Sequence, residues 1–274
     1  MKIFKYYTKS LFLSPETIFW AIVFVIFWLF MGAYLFTQEM PKEVLALHEF
    51  KVGYTSSWYG AAGVFSLSSL CVGLCYYFLF TTSSLPYVTK FGRVSTGSFF
   101  LQIIFGTFLY SSFLGAILML STYGIYSHAL SYNLLPSKPW LAILFIGIGG
   151  LFYYLLAVTV VLLLILLRKV KSVRLVSFLP MMACYALVFL QVFGVASETL
   201  VYASPFNNIY SLAAYAYRGE PIPLKLGGPS EESVLINPIY SIGMLLAWMI
   251  VLTLTGIYLM RRVKEVPTEE LREL

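Results

Sequence analysis

The 274-residue sequence contains no aspartate, and charged residues of any kind are scarce. They make up 11% of the chain, against roughly 25% in a typical soluble domain. Apolar residues make up 60% and lie in long uncharged blocks. This composition excludes a soluble globular domain, a disordered chain, a coiled coil and a nucleic-acid-binding protein, despite a net charge of +6. It favours a membrane protein built of helices rather than a β-barrel.

Residues and motifs that usually carry chemistry are also few. The two histidines, His48 and His128, stand alone in the sequence, which predicts no metal site. The three cysteines, Cys71, Cys75 and Cys184, lie inside apolar blocks and lack zinc spacing, which predicts small packing residues. The sequence has no phosphate-binding loop, no H-E-x-x-H and no G-x-S-x-G. We therefore expect no enzyme activity, catalytic residue, metal or cofactor in this chain.

Six apolar blocks are each long enough to cross the roughly 30 Å hydrocarbon core as a helix, which takes about 20 residues. None of them contains an internal Lys, Arg or Glu. The sequence therefore predicts an all-α membrane protein that forms a single transmembrane domain over residues 1–274. The predicted spans are Thr17–Thr37, Trp58–Thr81, Ser98–Leu120, Trp140–Leu167, Leu175–Ala196 and Ile239–Met260.

The distribution of basic residues predicts the orientation of these spans. If the N-terminus lies in the cytoplasm, five of the 18 basic residues fall in outside segments: Lys42, Lys51, Lys138, Arg218 and Lys225. The others fall in inside segments, as the positive-inside rule favours. An even number of spans then places both termini in the cytoplasm, and the chain is predicted to be a multi-pass protein of the cell membrane.

Residues 1–14 have the pattern of a basic amphipathic helix. Phe4, Tyr7 and Leu11 share one helical face, whereas Lys5 and Lys9 lie largely on the other. Such a helix ahead of a span typically lies flat on the cytoplasmic membrane surface.

The segment between the last two spans, residues 197–238, divides into two halves. The first half is apolar and too short to cross the membrane, and it is bounded by Pro205 and Gly219. We therefore expect a re-entrant or interfacial helical element there. The second half is rich in Pro and Gly and is typical of a surface loop.

Two polar residues inside the spans leave two interpretations open. Gln102 lies near the inner end of the third span, and Gln191 lies near the outer end of the fifth. Each could form a hydrogen bond between helices, or each could line a substrate path.

Small residues on the second span also leave two interpretations open. Gly60, Gly63, Ser66 and Ser69 mark roughly one helical face and permit close contact with another helix. The partner is either another helix of this chain or a second subunit.

The layout resembles the permease subunit of type-2 ABC exporters over essentially the whole chain. The resemblance rests on six spans and on four phrases: KIFKYYTKSLFLSPETIFW at the entry, SSLPYVTKFGRVSTGSFFLQII between spans 2 and 3, ETLVYASPFNNIYSLAAYAYRGE between spans 5 and 6, and LMRRVKEV at the end. The usual Glu- and Arg-rich start of the loop between spans 2 and 3 is replaced here by TTSSLPYVTK.

The resemblance implies an ATP-driven exporter of an amphipathic or apolar substrate. A separate ATP-binding subunit would hold ATP and Mg²⁺ and dock on a cytoplasmic coupling loop, residues 82–97. A second copy of the chain, or a homologous permease, would complete a dimer surrounded by membrane lipid. The implied coupling residues are Leu85, Pro86, Tyr87, Lys90, Phe91 and Arg93. The implied outer gate consists of Glu198, Ser204, Pro205, Phe206, Asn207, Asn208 and Tyr210.

Two other functions remain as alternatives. One is a membrane scaffold or accessory subunit that does not transport. The other is an enzyme acting on lipid, which needs a nucleophile or an acid–base pair that the sequence does not offer at convincing spacing.

Overall fold

A computed structural model describes residues 2–91, 96–224 and 234–262, except for the side chains of residues 2, 3, 16, 83–91, 96, 97 and 99. The described chain is almost entirely helical, and it contains no β-strand beyond an isolated bridge between Pro223 and Leu235. The α-helices are α1 (Lys2–Leu13), α2 (Pro15–Ile18), α3 (Phe24–Phe30), α4 (Lys42–Ala46), α5 (His48–Phe91), α6 (Thr96–Ala129), α7 (Pro139–Leu166), α8 (Val173–Val176), α9 (Leu179–Val192), α10 (Glu198–Ala203), α11 (Pro205–Arg218) and α12 (Pro238–Met260). Two π-helical turns, Phe19–Val23 and Met31–Leu35, flank α3, and 3₁₀ turns cover Phe36–Glu39 and Val170–Ser172.

Six helical segments in the described residues are long and apolar enough to cross a membrane, which confirms the predicted number of spans. They are Phe19–Glu39, His48–Thr82, Phe100–Ala129, Pro139–Leu166, Val170–Val192 and Pro238–Met260. The fourth and sixth lie within one residue of the predicted bounds.

Helix α5, which forms the second span, begins at His48, well before the predicted start of this span at Trp58. The predicted loop 38–57 is therefore shorter than expected. The hydroxyls in this stretch bond to carbonyls of their own helix. Thr55 donates to the Lys51 carbonyl at 2.8 Å, and Ser57 donates to the Gly53 carbonyl at 2.8 Å. Because these polar groups are satisfied locally, the helix tolerates residues that a hydropathy pattern assigns to a loop.

The same helix also continues past its predicted end at Thr81. Its backbone stays helical through Pro86 to Phe91, and α6 begins at Thr96. Most of the predicted coupling loop, residues 82–97, is therefore an extension of α5. At 1.5 Å per residue, this 44-residue helix is about 66 Å long.

Helices α5 and α7 form the centre of the bundle. They pack on each other, and each also packs on α6 and α11. In their most apolar stretches 67% and 61% of residues are buried, whereas the corresponding values for the first, fifth and sixth spans are 28%, 28% and 22%. The three outer spans therefore keep large faces that the described part of this chain does not cover.

The small residues of the second span pack inside the chain. A Cβ atom on Gly60 would lie 2.8 Å from the Tyr210 carbonyl oxygen, and one on Gly63 would collide with Ile146. Ser66 donates a hydrogen bond to the Ala21 carbonyl at 2.7 Å. These contacts assign the small-residue face to α7, α11 and the first span.

The N-terminal helix α1 is amphipathic, and its apolar face packs on α6. Tyr7 and Leu11 are buried, whereas Lys5 and Lys9 are exposed. The Tyr7 hydroxyl lies 2.6 Å from the Thr107 hydroxyl. Burial raises the pKa of the Tyr7 phenol well above its usual value, so this hydroxyl stays neutral.

Candidate functional site

The segment Glu198–Arg218, which we call the α10–α11 corner, is shaped by local capping. The Ser197 hydroxyl accepts from the Leu200 backbone N–H at 3.3 Å and caps α10. The Ser204 hydroxyl accepts from the Asn207 backbone N–H at 3.3 Å and caps α11. Pro205 occupies the first position of α11, where a proline removes no helical hydrogen bond. The two short helices therefore meet at the Ser204-Pro205 step.

Helix α11 has the predicted bounds and cannot cross a membrane. It ends at Arg218, followed by Gly219 in the left-handed region with φ of 91°. A helix of 14 residues is about 21 Å long, which is short of the roughly 30 Å core.

Helix α11 occupies one half of the bundle. At its start, the Phe206 ring lies 5.8 Å from the ring of Phe152, which is near the middle of α7. At its other end, the Ala216 carbonyl accepts from the Lys138 backbone N–H at 3.1 Å, immediately before α7 begins. We call the end of the bundle at this contact the Lys138 end. Between these points nearly every residue of α11 is buried.

Three buried polar side chains join α11 to α9. Asn207 donates from Nδ2 to Gln191 Oε1 at 2.8 Å and to the Leu187 carbonyl at 2.9 Å. Gln191 donates from Nε2 to Ser211 Oγ at 3.1 Å. All three side chains are at most 2% exposed. The network fixes both the height and the rotation of α11 against α9.

Asn208 closes the turn between α10 and α11. Its Nδ2 donates to the carbonyls of Tyr202 at 2.8 Å and Ser204 at 2.9 Å. The Tyr202 hydroxyl in turn accepts from the Asn237 backbone N–H at 2.8 Å, which joins the corner to the start of α12. The corner is therefore tied to the helices on both sides of it.

The structure brings six of the seven predicted gate residues together. Ser204, Pro205, Phe206, Asn207, Asn208 and Tyr210 lie buried along the first turns of α11. Glu198 is separate from them, because it lies exposed in the first turn of α10.

The two glutamines have different surroundings. The Gln191 side chain is buried and bonded to α11. Gln102 is half-buried, and its Oε1 accepts from the Phe4 backbone N–H at 3.2 Å, at the start of α1. Its Nε2 donates to Ser98 Oγ at 3.2 Å. Each glutamine therefore joins two helical elements.

The predicted coupling residues are only partly described. Leu85, Pro86, Tyr87, Lys90 and Phe91 have helical backbone in the last turns of α5. Their side chains, and the whole of Arg93, lie outside the described residues.

Charged groups cluster at the Lys138 end. Lys138 Nζ donates to the Tyr215 hydroxyl at 2.9 Å. The guanidinium of Arg218 lies 3.9 Å from the carboxylate of Glu220, whose side chain is 76% exposed, so this pair contributes little stability. Burial raises the pKa of Tyr217, so this phenol stays neutral and donates to the Leu134 carbonyl at 2.9 Å.

The cysteines pack as small buried side chains. Cys71 and Cys184 direct their thiols at the carbonyls of Tyr153 and Val64, at 3.6 and 3.8 Å. Across the described ranges, no three His, Cys, Asp or Glu residues are grouped so that they could hold a metal ion.

The hydrogen bonds between the first span and α5 could not be predicted from the sequence. The π-helical turns of the first span contain Ala21 and Gly32, whose carbonyls accept from the hydroxyls of Ser66 and Tyr54, both at 2.7 Å. A π-turn displaces carbonyls from the regular helical pattern, and hydroxyls of α5 bond to two of them here. The sequence predicts neither π-turn, since both lie in uniformly apolar stretches.

No family model matches the chain, and searches of curated proteins and of solved structures found no match. What the chain does must therefore follow from its own residues and geometry.

Proposed function

We propose that this chain is the membrane-spanning subunit of an ATP-driven ABC transporter that exports an amphipathic or apolar substrate. Both termini lie in the cytoplasm, and a separate subunit binds ATP and Mg²⁺. The observation that carries the proposal is α11, a helix too short to span that lies buried in one half of a six-span bundle. A scaffold does not require such an element, whereas a transporter requires a barrier on one side of its substrate path.

In this proposal α11 is a re-entrant element in the outer half of the membrane and belongs to the outer gate. Irregular backbone at membrane depth is tolerated where it is buried in protein. The Ser204-Pro205 step satisfies this condition, because the Ser204 hydroxyl and the Asn208 amide bond the polar groups around it. Movement of α9 would reach the gate through the Gln191–Asn207 hydrogen bond.

Helix α5 is the proposed mechanical link to the ATPase. It is continuous from His48 to Phe91, and it contacts α11 closely at Gly60. An ATPase that moves the 82–97 segment would act on one end of a rod whose other half contacts the gate. A continuous helix transmits such a movement better than a flexible loop does.

Partner surfaces are available on the poorly buried spans. Fewer than a third of the residues in the most apolar stretches of spans 1, 5 and 6 are buried, and a second permease subunit would cover part of the remaining surface. Membrane lipid would cover the rest. We expect the amphipathic helix α1 to lie at the cytoplasmic interface with Lys5 and Lys9 toward the headgroups.

The test is purification of the tagged chain from its own membranes in mild detergent, followed by mass spectrometry. We expect a stoichiometric partner that carries a phosphate-binding loop. After reconstitution into vesicles, the ATPase activity of that partner should depend on this chain. Recovery of partners without an ATPase would instead favour the scaffold function.

A charge-reversal pair tests the coupling segment. Lys90→Glu with Arg93→Glu should weaken ATPase binding and lower turnover. Arg168→Glu with Lys169→Glu is the matched control, because it makes the same change of charge on another segment predicted to lie inside. Equal effects of the two pairs would contradict docking at residues 82–97.

A further inference from the structure

An apolar cavity of about 380 Å³ lies between α7, α9, α12 and the α10–α11 corner. Pockets that bind small molecules measure roughly 300–1,000 Å³. Its walls include Phe152, Leu156, Leu187, Phe206, Trp248 and Leu252, and they consist almost wholly of carbon.

The cavity lies at mid-height in the bundle. Phe152 and Leu156 are near the middle of α7, and Trp248 and Leu252 are near the middle of α12. Around helices that span a bilayer, this height is the hydrocarbon core. A polar solute would have to leave water completely to reach it, whereas a hydrocarbon chain is already there.

The polar groups at the cavity wall are bonded to the protein. Trp248 Nε1 donates to the Ala203 carbonyl at 2.9 Å. The Ser204 hydroxyl accepts from the Asn207 N–H, and the Ser204 carbonyl accepts from Asn208. A ligand with polar groups would be desolvated in the cavity without gaining hydrogen bonds, so the site selects against it.

The cavity opens toward the outside of the bundle. Ala203 is exposed and Trp248 is 38% exposed, so the cavity wall at this hydrogen-bonded pair reaches the outer surface of the bundle. Leu252 and Phe206, at 7% and 8% exposed, form the interior. Lipid that surrounds the bundle therefore has direct access from the side.

We propose that this cavity binds one hydrocarbon chain of an amphipathic lipid, which enters from the outer surface of the bundle. The bound chain lies against Phe206 at the start of α11, while the headgroup stays outside the cavity. The proposal does not depend on an ATPase or on transport. The chain has two possible sources, a bilayer phospholipid or a single-chain amphiphile such as a lipid-tailed cargo.

The test is photolabelling of the purified full-length chain in detergent. One probe is a phospholipid with a diazirine in its acyl chain, and the other is a fatty acid with the same group. We expect label on peptides that contain Leu156, Leu187 or Trp248, and we expect excess unlabelled probe to compete for it. Label from the phospholipid identifies bilayer lipid as the source, and label from the fatty acid alone identifies a single-chain amphiphile.

Leu156→Trp fills the cavity and should reduce the competed label by about tenfold. Leu254→Trp is the matched control. Leu254 lies in α12, as Trp248 does, but its side chain is exposed and does not line the cavity. Leu187→Phe, a smaller filling change, serves if Leu156→Trp does not fold. The proposal is overturned if neither probe gives label that can be competed from these peptides, or if a folded filling variant labels as strongly as the control. Either result leaves the ATPase test unaffected.

Discussion

Asn207 Nδ2 donates a hydrogen bond to Gln191 Oε1 at 2.8 Å, and both side chains are fully buried. This amide pair joins a helix too short to cross a membrane to the fifth span. It gives α11 a defined position inside the bundle, where apolar contacts alone would permit sliding.

Replacing either amide should destabilise the protein, because its partner remains buried without its hydrogen bond. We expect Asn207→Leu or Gln191→Leu to cost about 1–3 kcal/mol, seen as a lower thermal unfolding midpoint in detergent. The double variant should recover part of this loss, since coupled residues are not additive. Asn133→Leu, an exposed loop change, is the control. Strict additivity of the two single changes would show that the pair is not coupled.

Gly60 is expected to be intolerant of any side chain. A Cβ atom there would lie 2.8 Å from the Tyr210 backbone carbonyl oxygen, which cannot move without shifting α11. Gly60→Ala should therefore destabilise the protein by about 1–3 kcal/mol. Gly124 lies in α6 with no atom near its Cβ position, so Gly124→Ala should be neutral or stabilising by about 0.5–1 kcal/mol. The thermal unfolding midpoints of the two variants, measured side by side, test this difference in stability. Similar midpoints would contradict a tight α5–α11 contact.

The first span should depend on hydroxyls from α5. Ser66→Ala and Tyr54→Phe each remove a donor to a carbonyl in a π-turn, and each should cost about 0.5–1.5 kcal/mol. Ser69→Ala is the control, because its hydroxyl bonds only to Phe65 in its own helix. Thermal unfolding midpoints measure the difference. If Ser69→Ala lowered the unfolding midpoint more than Ser66→Ala does, the hydrogen bonds from α5 would not be what stabilises span 1.

The orientation of the bundle can be read with single cysteines in a variant whose three native cysteines are replaced. Leu135→Cys lies in the exposed turn between α6 and α7, near the Lys138 end, and should react with an impermeant maleimide on intact cells. Lys169→Cys lies exposed after the other end of α7 and should react only after permeabilisation. The opposite pattern would invert the predicted topology.

If α11 gates the outer side, access to it should change with the state of the ATPase. Phe206→Cys and Tyr210→Cys should label from outside at different rates in the resting complex and in one trapped with a nucleotide analogue. Leu135→Cys, on the exposed loop, should label at the same rate in both. Unchanged labelling at Phe206 and Tyr210 would count against gating.

Local signals in the sequence were sufficient for the number of spans and for the limits of α11. Apolar blocks without charge mark spans wherever they fold, since the bilayer imposes the same requirement on each. Ser204, Pro205 and Gly219 mark the start and end of α11 because capping depends on neighbours in the chain. The start of α5 was missed because Thr55 and Ser57 satisfy their hydroxyls within the helix.

By itself the sequence determined that the chain is helical, with six helices long and apolar enough to cross a membrane and a short helix between the last two. Only the tertiary structure decided that Gln191 bonds to Asn207, that Gln102 meets the start of α1, and that Gly60 packs on α11. Only it placed Phe152, Leu187 and Trp248 around one cavity. Apolar length and caps act along the chain, whereas these contacts depend on which faces of distant helices meet. Nearly uniform apolar faces leave that choice to the shapes of the packed side chains.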